Sequence, residues 1–356
     1  MTTTLLIPAS GESTRFGNLR PKFLLQHPKG MTMLEASLSA FGLSGGLGID
    51  RILIVSQEKF FDGLNVSRLS ESIQNRVNLP TEILLLDSST NSMVETILNG
   101  ISTLREDGPL VVKDCDNHVR VNAEAFSNSK NSLAYADLSR HIDVSAANKS
   151  FIKLSDESRI TLIVEKKIIS PYINLGLVKF ESSSLFVASA KRNTSVNHHY
   201  VSDVVRVAIE MGVDFEAIEA EEYEDWGTLE DWHRYINDFK TVFLDLDGVI
   251  VENSNWLSES NDWSKFRPIT ENCNHILDLS RTGKTKIVVT TSRDHNYRED
   301  IINFLDSLGL KNYDLITGLP HAKRVVINDF AESLPFPSAI GISIPRNENQ
   351  LKDYLK

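Results

Sequence analysis

The chain has 356 residues, more than one hydrophobic core usually organises, so about two domains are expected and a single small module is excluded. A composition of 41% hydrophobic and 24% charged residues excludes a disordered or fibrous protein. With 37 basic and 48 acidic residues the net charge is -11, which argues against gripping nucleic acid by neutralising its phosphates.

Most of the excess acid lies early: 32 acidic and 23 basic residues precede Lys240, against 16 and 14 from Lys240 onward. Cys115 and Cys273 are too few for a disulfide framework or a four-ligand zinc site and suit a reducing compartment. The N-terminal run has no basic segment, and no stretch approaches the ~20 apolar residues of a membrane span. A cytoplasmic protein with no membrane span and no nucleic-acid partner is expected, and its oligomeric state, a homo-oligomer included, is left open.

In chain order, residues 4–7, 51–55, 82–86 and 110–113 read as short apolar strands. Helical stretches over 33–41 and 93–104 lie between them, the second behind the capping cluster 88–92. That alternation predicts a parallel sheet wound with helices. Strands over 159–164, 172–180 and 214–218 and helices over 183–191, 200–211 and 229–239 follow. The chain then starts again: strand 241–244, acidic loop, helix 271–280, strand 286–289, helix 297–308 and strand 325–327. A second α/β domain is therefore expected from Lys240.

The first strand runs into Pro8, Ala9, Ser10, Gly11, Glu12, Ser13, Thr14 and Arg15, with Pro21 and Lys22 downstream. Small residues leaving the carboxyl end of a strand let backbone N–H groups approach phosphate, and Arg15 and Lys22 add the charge a triphosphate needs. Residues 5–34 resemble the signature of the sugar-nucleotide pyrophosphorylases, a nucleotidyltransferase family whose loop reads Gly-x-Gly-Thr-Arg with a Pro-Lys pair after it. Here Ser13 stands at the second glycine. The resemblance extends to about Trp232 and implies a mixed sheet, phosphate binding by Arg15 and Lys22, and nucleotide contacts from 9–14. It also implies a base-recognition loop over 88–95 that includes Ser92.

Asp114 and Asp116 end a buried strand, where carboxylates suit Mg²⁺ or, more blandly, a capped turn. The family carries a metal-binding aspartate in such a segment, matched better by Asp116 than by Asp114. Asp225, in the run 224–232, resembles the second metal ligand of the family's closing motif, although Thr228 with the acids behind it also reads as a helix cap. Glu165, Lys166, Asn174 and Gly176 resemble sugar-side contacts, or else surface charge and a strand bulge. The chemistry so implied is attack of a sugar or polyol phosphate on the α-phosphorus of a nucleoside triphosphate, expelling pyrophosphate. CTP is favoured, on a loose resemblance to polyol- and choline-phosphate cytidylyltransferases.

A second constellation follows Lys240. Asp245 and Asp247 leave a buried strand into Gly248, two carboxylates at the spacing of a nucleophile and an acid or base. This resembles the first motif of the haloacid dehalogenase superfamily. Thr291, with Ser292 and Arg293, then matches its phosphoryl-holding segment, Lys323 its charge-balancing lysine, and Asp329 the acid that completes a Mg²⁺ site with Asp245 and Asp247. The gaps between motifs are too short for a large cap. The resemblance implies hydrolysis of a phosphomonoester through an aspartyl-phosphate on Asp245, with Asp247 as acid and base.

The expectation is thus an α/β protein of two Rossmann-like domains: a nucleotidyltransferase with a mixed sheet wound with helices over 1–239, and a small capless haloacid dehalogenase-like phosphatase over 240–356. Such a bifunctional, Mg²⁺-dependent enzyme would serve synthesis of surface-polysaccharide precursors in bacteria. The alternative is that one domain is a non-catalytic binding or regulatory module.

Overall fold

A computed structural model describes residues 1–13, 16, 21–43, 47–140, 146–192, 200–253, 265–329 and 338–355. The chain divides into two compact units, Met1–Trp232 and His233–Lys356. No helix among the described residues is long and apolar enough to cross a membrane.

The first unit opens on β1 (Thr4–Ala9), a short hairpin of β2 (Gln26–His27) and β3 (Met31–Thr32), α1 (Met33–Leu43), β4 (Arg51–Gln57), α2 (Val66–Val77), β5 (Thr81–Leu86) and α3 (Met93–Ser102). It continues through β6 (Leu110–Lys113), β7 (Asn117–Val121), α4 (Ala123–Asn128), β8 (Ser132–Asp137), β9 (Ser150–Leu154), β10 (Ile160–Glu165) and β11 (Tyr172–Phe180). Then come α5 (Ser183–Arg192), α6 (Val201–Glu210), β12 (Glu216–Asp225) and α7 (Leu229–Asn237), inside which the division falls.

One sheet takes the order β5-β4-β1-β6-β11-β8-β12-β7, with β9 and β10 off that path. Strands β5, β4, β1 and β6 run parallel, whereas β11 is antiparallel to both β6 and β8, so the sheet is mixed. Both faces are covered, which is why its strands read as continuous apolar runs. Leu5 and Ile7 face a core shared with Leu34 and Leu38 of α1 and Ile73 of α2, while Leu6 faces Ile97 of α3, Phe186 of α5 and Val204 of α6. The period-2 alternation along β1 thus sends neighbouring side chains to opposite cores.

Two elements differ from the sequence reading. Helix α2, capped by Asn65 accepting from the Arg68 N–H at 3.1 Å, was not anticipated although Val66, Leu69, Ile73 and Val77 carry a helical stripe. Strand β12 runs on to Asp225 because β7 pairs with its second half, a partner about a hundred residues earlier that local pattern does not reveal.

The second unit holds β13 (Lys240–Asp245), α8 (Thr270–Arg281), β14 (Thr285–Thr290), α9 (Arg298–Ser307), β15 (Tyr313–Ile316) and α10 (Leu351–Tyr354). Its three strands are parallel in the order β13-β14-β15. Leu244, Leu246, Ile287 and Val289 pack there against Cys273 and Ile276 of α8 and Ile301 and Leu305 of α9. The strand expected over 325–327 is not formed. Val325, Val326 and Ile327 are 72, 59 and 91% exposed in an irregular segment, because among the described residues no sheet edge hydrogen-bonds to their backbone.

Candidate active site

The site of the first unit lies at the carboxyl ends of β1 and β6, where a parallel sheet leaves side chains of several strands free to converge. At the end of β1 the Ser56 hydroxyl donates to the Ala9 carbonyl at 2.8 Å and the Gln57 amide to the Ser10 carbonyl, so β4 holds the start of the loop. Among the described residues no atom lies within 4 Å of where a side chain on Gly11 would stand, which leaves its backbone approachable. Glu12 points outward to Lys59 at 2.6 Å. Ser13 takes the left-handed conformation, φ 51°, that glycine adopts more easily, and its hydroxyl accepts the Lys22 N–H at 3.0 Å. Ser13 therefore ties the loop to Lys22. Thr14 and Arg15 lie outside the described residues.

Lys22 forms an ion pair with Asp116. Asp116 sits in the turn between β6 and β7, and its carbonyl accepts the Trp226 N–H at 3.0 Å. Through Asn117, the first residue of β7, that turn pairs with Asp225 at the end of β12. The Asp225 carboxylate meets Lys149 at 2.6 Å, and the Tyr223 hydroxyl accepts from the same ammonium at 2.8 Å. A side chain at Gly227 would stand 3.2 Å from Asp225 Oδ1 and 3.5 Å from Asp116 Oδ2, so the two carboxylates converge on one small space. Helix capping after this motif falls to Thr228, whose hydroxyl accepts the Asp231 N–H at 3.1 Å, and leaves Asp225 turned inward.

Asp114 is directed differently. Its N–H donates to the Gly176 carbonyl at 2.9 Å and its carboxyl packs against Gly176, where φ is +69° and a Cβ would fall 2.0 Å from Oδ2. The β11–β8 register shifts between Asn174 and Val178, and the Asn174 amide oxygen accepts the Gly176 N–H at 3.0 Å. The bulge and the proposed contact site are thus the same feature. Lys113, fully buried, donates to the Asp114 and Asn117 carbonyls and to Asn117 Oδ1 at 2.7–2.9 Å, bracing the turn from below.

These surroundings set the charges. Burial and the neighbouring Asp116 push Asp114 up toward its neutral acid form. Burial also opposes ionisation of Asp116, but Lys22 and Lys149 outweigh it and hold that carboxylate low. Burial pulls Lys149 down, yet Tyr223 and Asp225 more than restore it.

The donor set fits magnesium. Two carboxylates offer hard oxygens, and Mg²⁺ is ordinarily held by one or two carboxylates with waters and substrate phosphates rather than by an all-protein cage. Among the described residues no group of three or more His, Cys, Asp or Glu side chains forms such a cage.

The other anticipated residues stand as follows. Ser92 caps α3, accepting the Glu95 N–H at 3.1 Å. Glu165 accepts from Ser150 and Ser202 at 2.5 and 2.7 Å. Lys166 is left-handed, φ 54°, with its ammonium 2.6 Å from the Tyr200 hydroxyl. Sequence reasoning missed Lys149, Tyr223 and Lys113. Tyr223 lies on β12 two residues before Asp225, whereas Lys149 reaches both from just before β9, and an isolated lysine before a strand carries no local signal.

His27 underlies this region, its ring 6.1 Å from both Trp226 and Trp232. Burial, helped by Lys29 and His118, lowers its pKa from 6.5 to about 4. The unfolded chain takes up this proton near pH 6.5 and the folded chain only near 4, so stability falls as pH drops through that window and the loss levels off below it. The full loss is about 3 kcal/mol. Urea unfolding at pH 7 and pH 4.5 should show most of it, and His27→Gln should flatten the difference.

In the second unit, Asp247 does not face an open site alone. Arg293 reaches it through Nη2 at 2.6 Å and Nε at 3.1 Å, and the Thr291 hydroxyl donates to its Oδ2 at 3.0 Å. Arg293 lies 4.9 Å above the Phe266 ring and is buried, and Ser292 is half-buried beside it. Asp245 opens to solvent at the end of β13, where desolvation of its carboxyl and then the Asp247 charge raise its pKa against Arg324, His321 and Arg346. Arg324, His321 and Arg346 are the cations that act most on Asp245. Lys323 and Asp329 lie in the exposed segment around 325–327, and Asp245, Asp247 and Asp329 do not gather into a metal site. The expected cluster needs the strand that is not formed.

Against known sequences, no protein-family model and no curated protein matches the chain. Against solved structures, the nucleoside-diphosphate-sugar pyrophosphorylase from Vibrio cholerae RC9 matches with a TM-score of 0.55 at 18% identity, covering 65% of this chain and 99% of its own. The inositol-1-phosphate CTP transferase from T. maritima matches with a TM-score of 0.50 at 16% identity, covering 65% and 91%. Over 65% of its length the chain shares the α/β fold of these nucleotidyltransferases. That coverage is the share of the chain that the first unit occupies.

Proposed function

We propose that the first domain transfers a nucleotidyl group from a nucleoside triphosphate to a sugar or polyol phosphate and releases pyrophosphate. The observation that carries this reading is the convergence of Lys22, Asp116 and Asp225 at the carboxyl ends of the strands, beside a loop open at Gly11. Lys22 would neutralise the phosphates, and the loop's backbone N–H groups would orient them. Bound Mg²⁺, held by Asp116 and Asp225, would supply charge neutralisation at the triphosphate. Lys166 and Asn174 would meet the acceptor. CTP is the favoured donor, since one protein of the same fold is an inositol-1-phosphate CTP transferase. The product would feed surface-polysaccharide synthesis.

For the second domain we propose phosphomonoester hydrolysis. Asp245 attacks the phosphorus to form an aspartyl-phosphate as the P–O bond to the leaving alcohol breaks. Asp247 delivers the proton and then takes one from the water that cleaves the intermediate. The position of Asp245 at the end of a strand, open to solvent and two residues before Asp247, supports this reading. A second reading, a phosphate-binding module, is favoured by the engagement of Asp247 with Arg293 and by the exposure of Lys323 and Asp329 in an irregular segment.

Pyrophosphate release over the four nucleoside triphosphates with a panel of sugar and polyol phosphates tests the transferase, and phosphate release from the same panel tests the hydrolase. Asp245→Asn is expected to abolish phosphate release and leave pyrophosphate release within about twofold, because it removes only the nucleophile. Absence of phosphate release from the unaltered protein on every member favours the binding module.

A further inference from the structure

In the free protein each of the two converging carboxylates carries a lysine of its own: Lys22 on Asp116 and Lys149 on Asp225. Two ammonium groups therefore balance the charge that one divalent cation would balance. The Lys149–Asp225 pair is largely out of solvent, with side-chain exposures of 17 and 7%, so neither partner is easily left alone. Its backbone is fixed, since the Lys166 N–H donates to the Lys149 carbonyl at 3.0 Å, while the side chain above it is a flexible four-carbon stem. The Tyr223 hydroxyl holds the ammonium against Asp225 and in cation–π range of its ring, 5.5 Å from the centroid.

We propose that Lys149 is a displaceable counter-ion for Asp225: it closes the site while the protein is free and yields the carboxylate to a divalent cation as substrate enters. This rests on the transferase reading and extends it to a residue that no motif contains. Lys149 sits on Asp225 Oδ2 while Oδ1 faces the space shared with Asp116, so a cation bound there would stand one carboxylate away from the ammonium, and repulsion between the two positive charges in this largely buried site drives Lys149 off Asp225. The freed ammonium stays tethered beside Lys166, where the phosphates of donor and acceptor bring new negative charge. Lys149 is then a positioning residue that changes partner during the cycle, and it keeps the carboxylates from repelling each other between cycles.

The test is Mn²⁺ binding to the nucleotide-free, full-length protein, followed by electron paramagnetic resonance, with melting temperature recorded in chelator and in excess Mn²⁺. Lys149→Met removes the competitor and is expected to bind Mn²⁺ about tenfold more tightly than the unaltered protein, to melt lower in chelator, and to regain its melting temperature with metal. Lys149→Arg keeps the pair and should bind as the unaltered protein does, and Asp225→Asn should lose the site. Should Lys149→Met not fold without metal, Tyr223→Phe loosens the same ammonium and should tighten Mn²⁺ about twofold to threefold. Unchanged or weaker Mn²⁺ binding in Lys149→Met, or in Tyr223→Phe where that variant is the one measured, overturns the proposal and leaves Lys149 as a strut. A protein that releases no pyrophosphate from any triphosphate overturns the transferase reading instead, and the Mn²⁺ result stands apart from it.

Discussion

Gly176→Ala should cost the folded protein roughly 2–5 kcal/mol, the sum of a left-handed backbone that an L side chain resists and an overpacked contact. The new Cβ would fall 2.0 Å from Asp114 Oδ2 and 2.4 Å from its Cγ. Asp114 cannot swing clear cheaply, because its own N–H is bonded to the Gly176 carbonyl and its carbonyl accepts from the buried Lys113. The strain passes directly to the Asp114–Asn117 turn that presents Asp116. Urea unfolding of the purified variant measures the loss, and a change below about 1 kcal/mol would show that the bulge tolerates a side chain. The same variant should transfer nucleotidyl groups more slowly, since the displaced turn carries a candidate metal ligand.

Asp116→Asn should lower pyrophosphate release by about 10²–10³-fold, the usual scale for removing one preorganised charge from a site of this kind. Asparagine keeps the shape and removes the charge that Lys22 and a divalent cation would use. Asp114→Asn is the matching control. Burial and Asp116 already drive Asp114 toward its neutral form, so the amide copies a state the protein favours and should cost less than about tenfold. Steady-state kinetics on both variants, with circular dichroism to verify the fold, separates the roles of two acids only two residues apart. Equal losses would remove the distinction drawn between them.

Much of the first unit was legible because its strands are buried on both faces and its helices carry apolar stripes. Residues 172–180 and 110–113 were read with the bounds that the structure gives β11 and β6. The lower half of β12 was not, since residues 219–225 are rich in glutamate and become a strand only by pairing with β7. In the site, Lys22, Asp116 and Asp225 were named from their motifs. Lys149 was not, because its partners lie far along the chain and nothing beside it marks a charge about to be buried.

The second unit shows the opposite balance. Residues 325–327 have the composition of a strand, and motif order alone placed Lys323 and Asp329 beside Asp245. A strand needs an edge to pair with, however, and here that segment stays exposed and irregular, with Arg324 and His321 just before it acting on Asp245.

What the sequence by itself determined is the α/β class of the chain, readable because apolar periodicity is a local signal. What only the tertiary structure decided is which charges meet. Asp225 joins Asp116 across β7 and β12, Lys149 rather than an exposed residue neutralises it, and Arg293 takes up Asp247. Ion pairing falls steeply with distance and burial, so it is settled by packing, not by position along the chain.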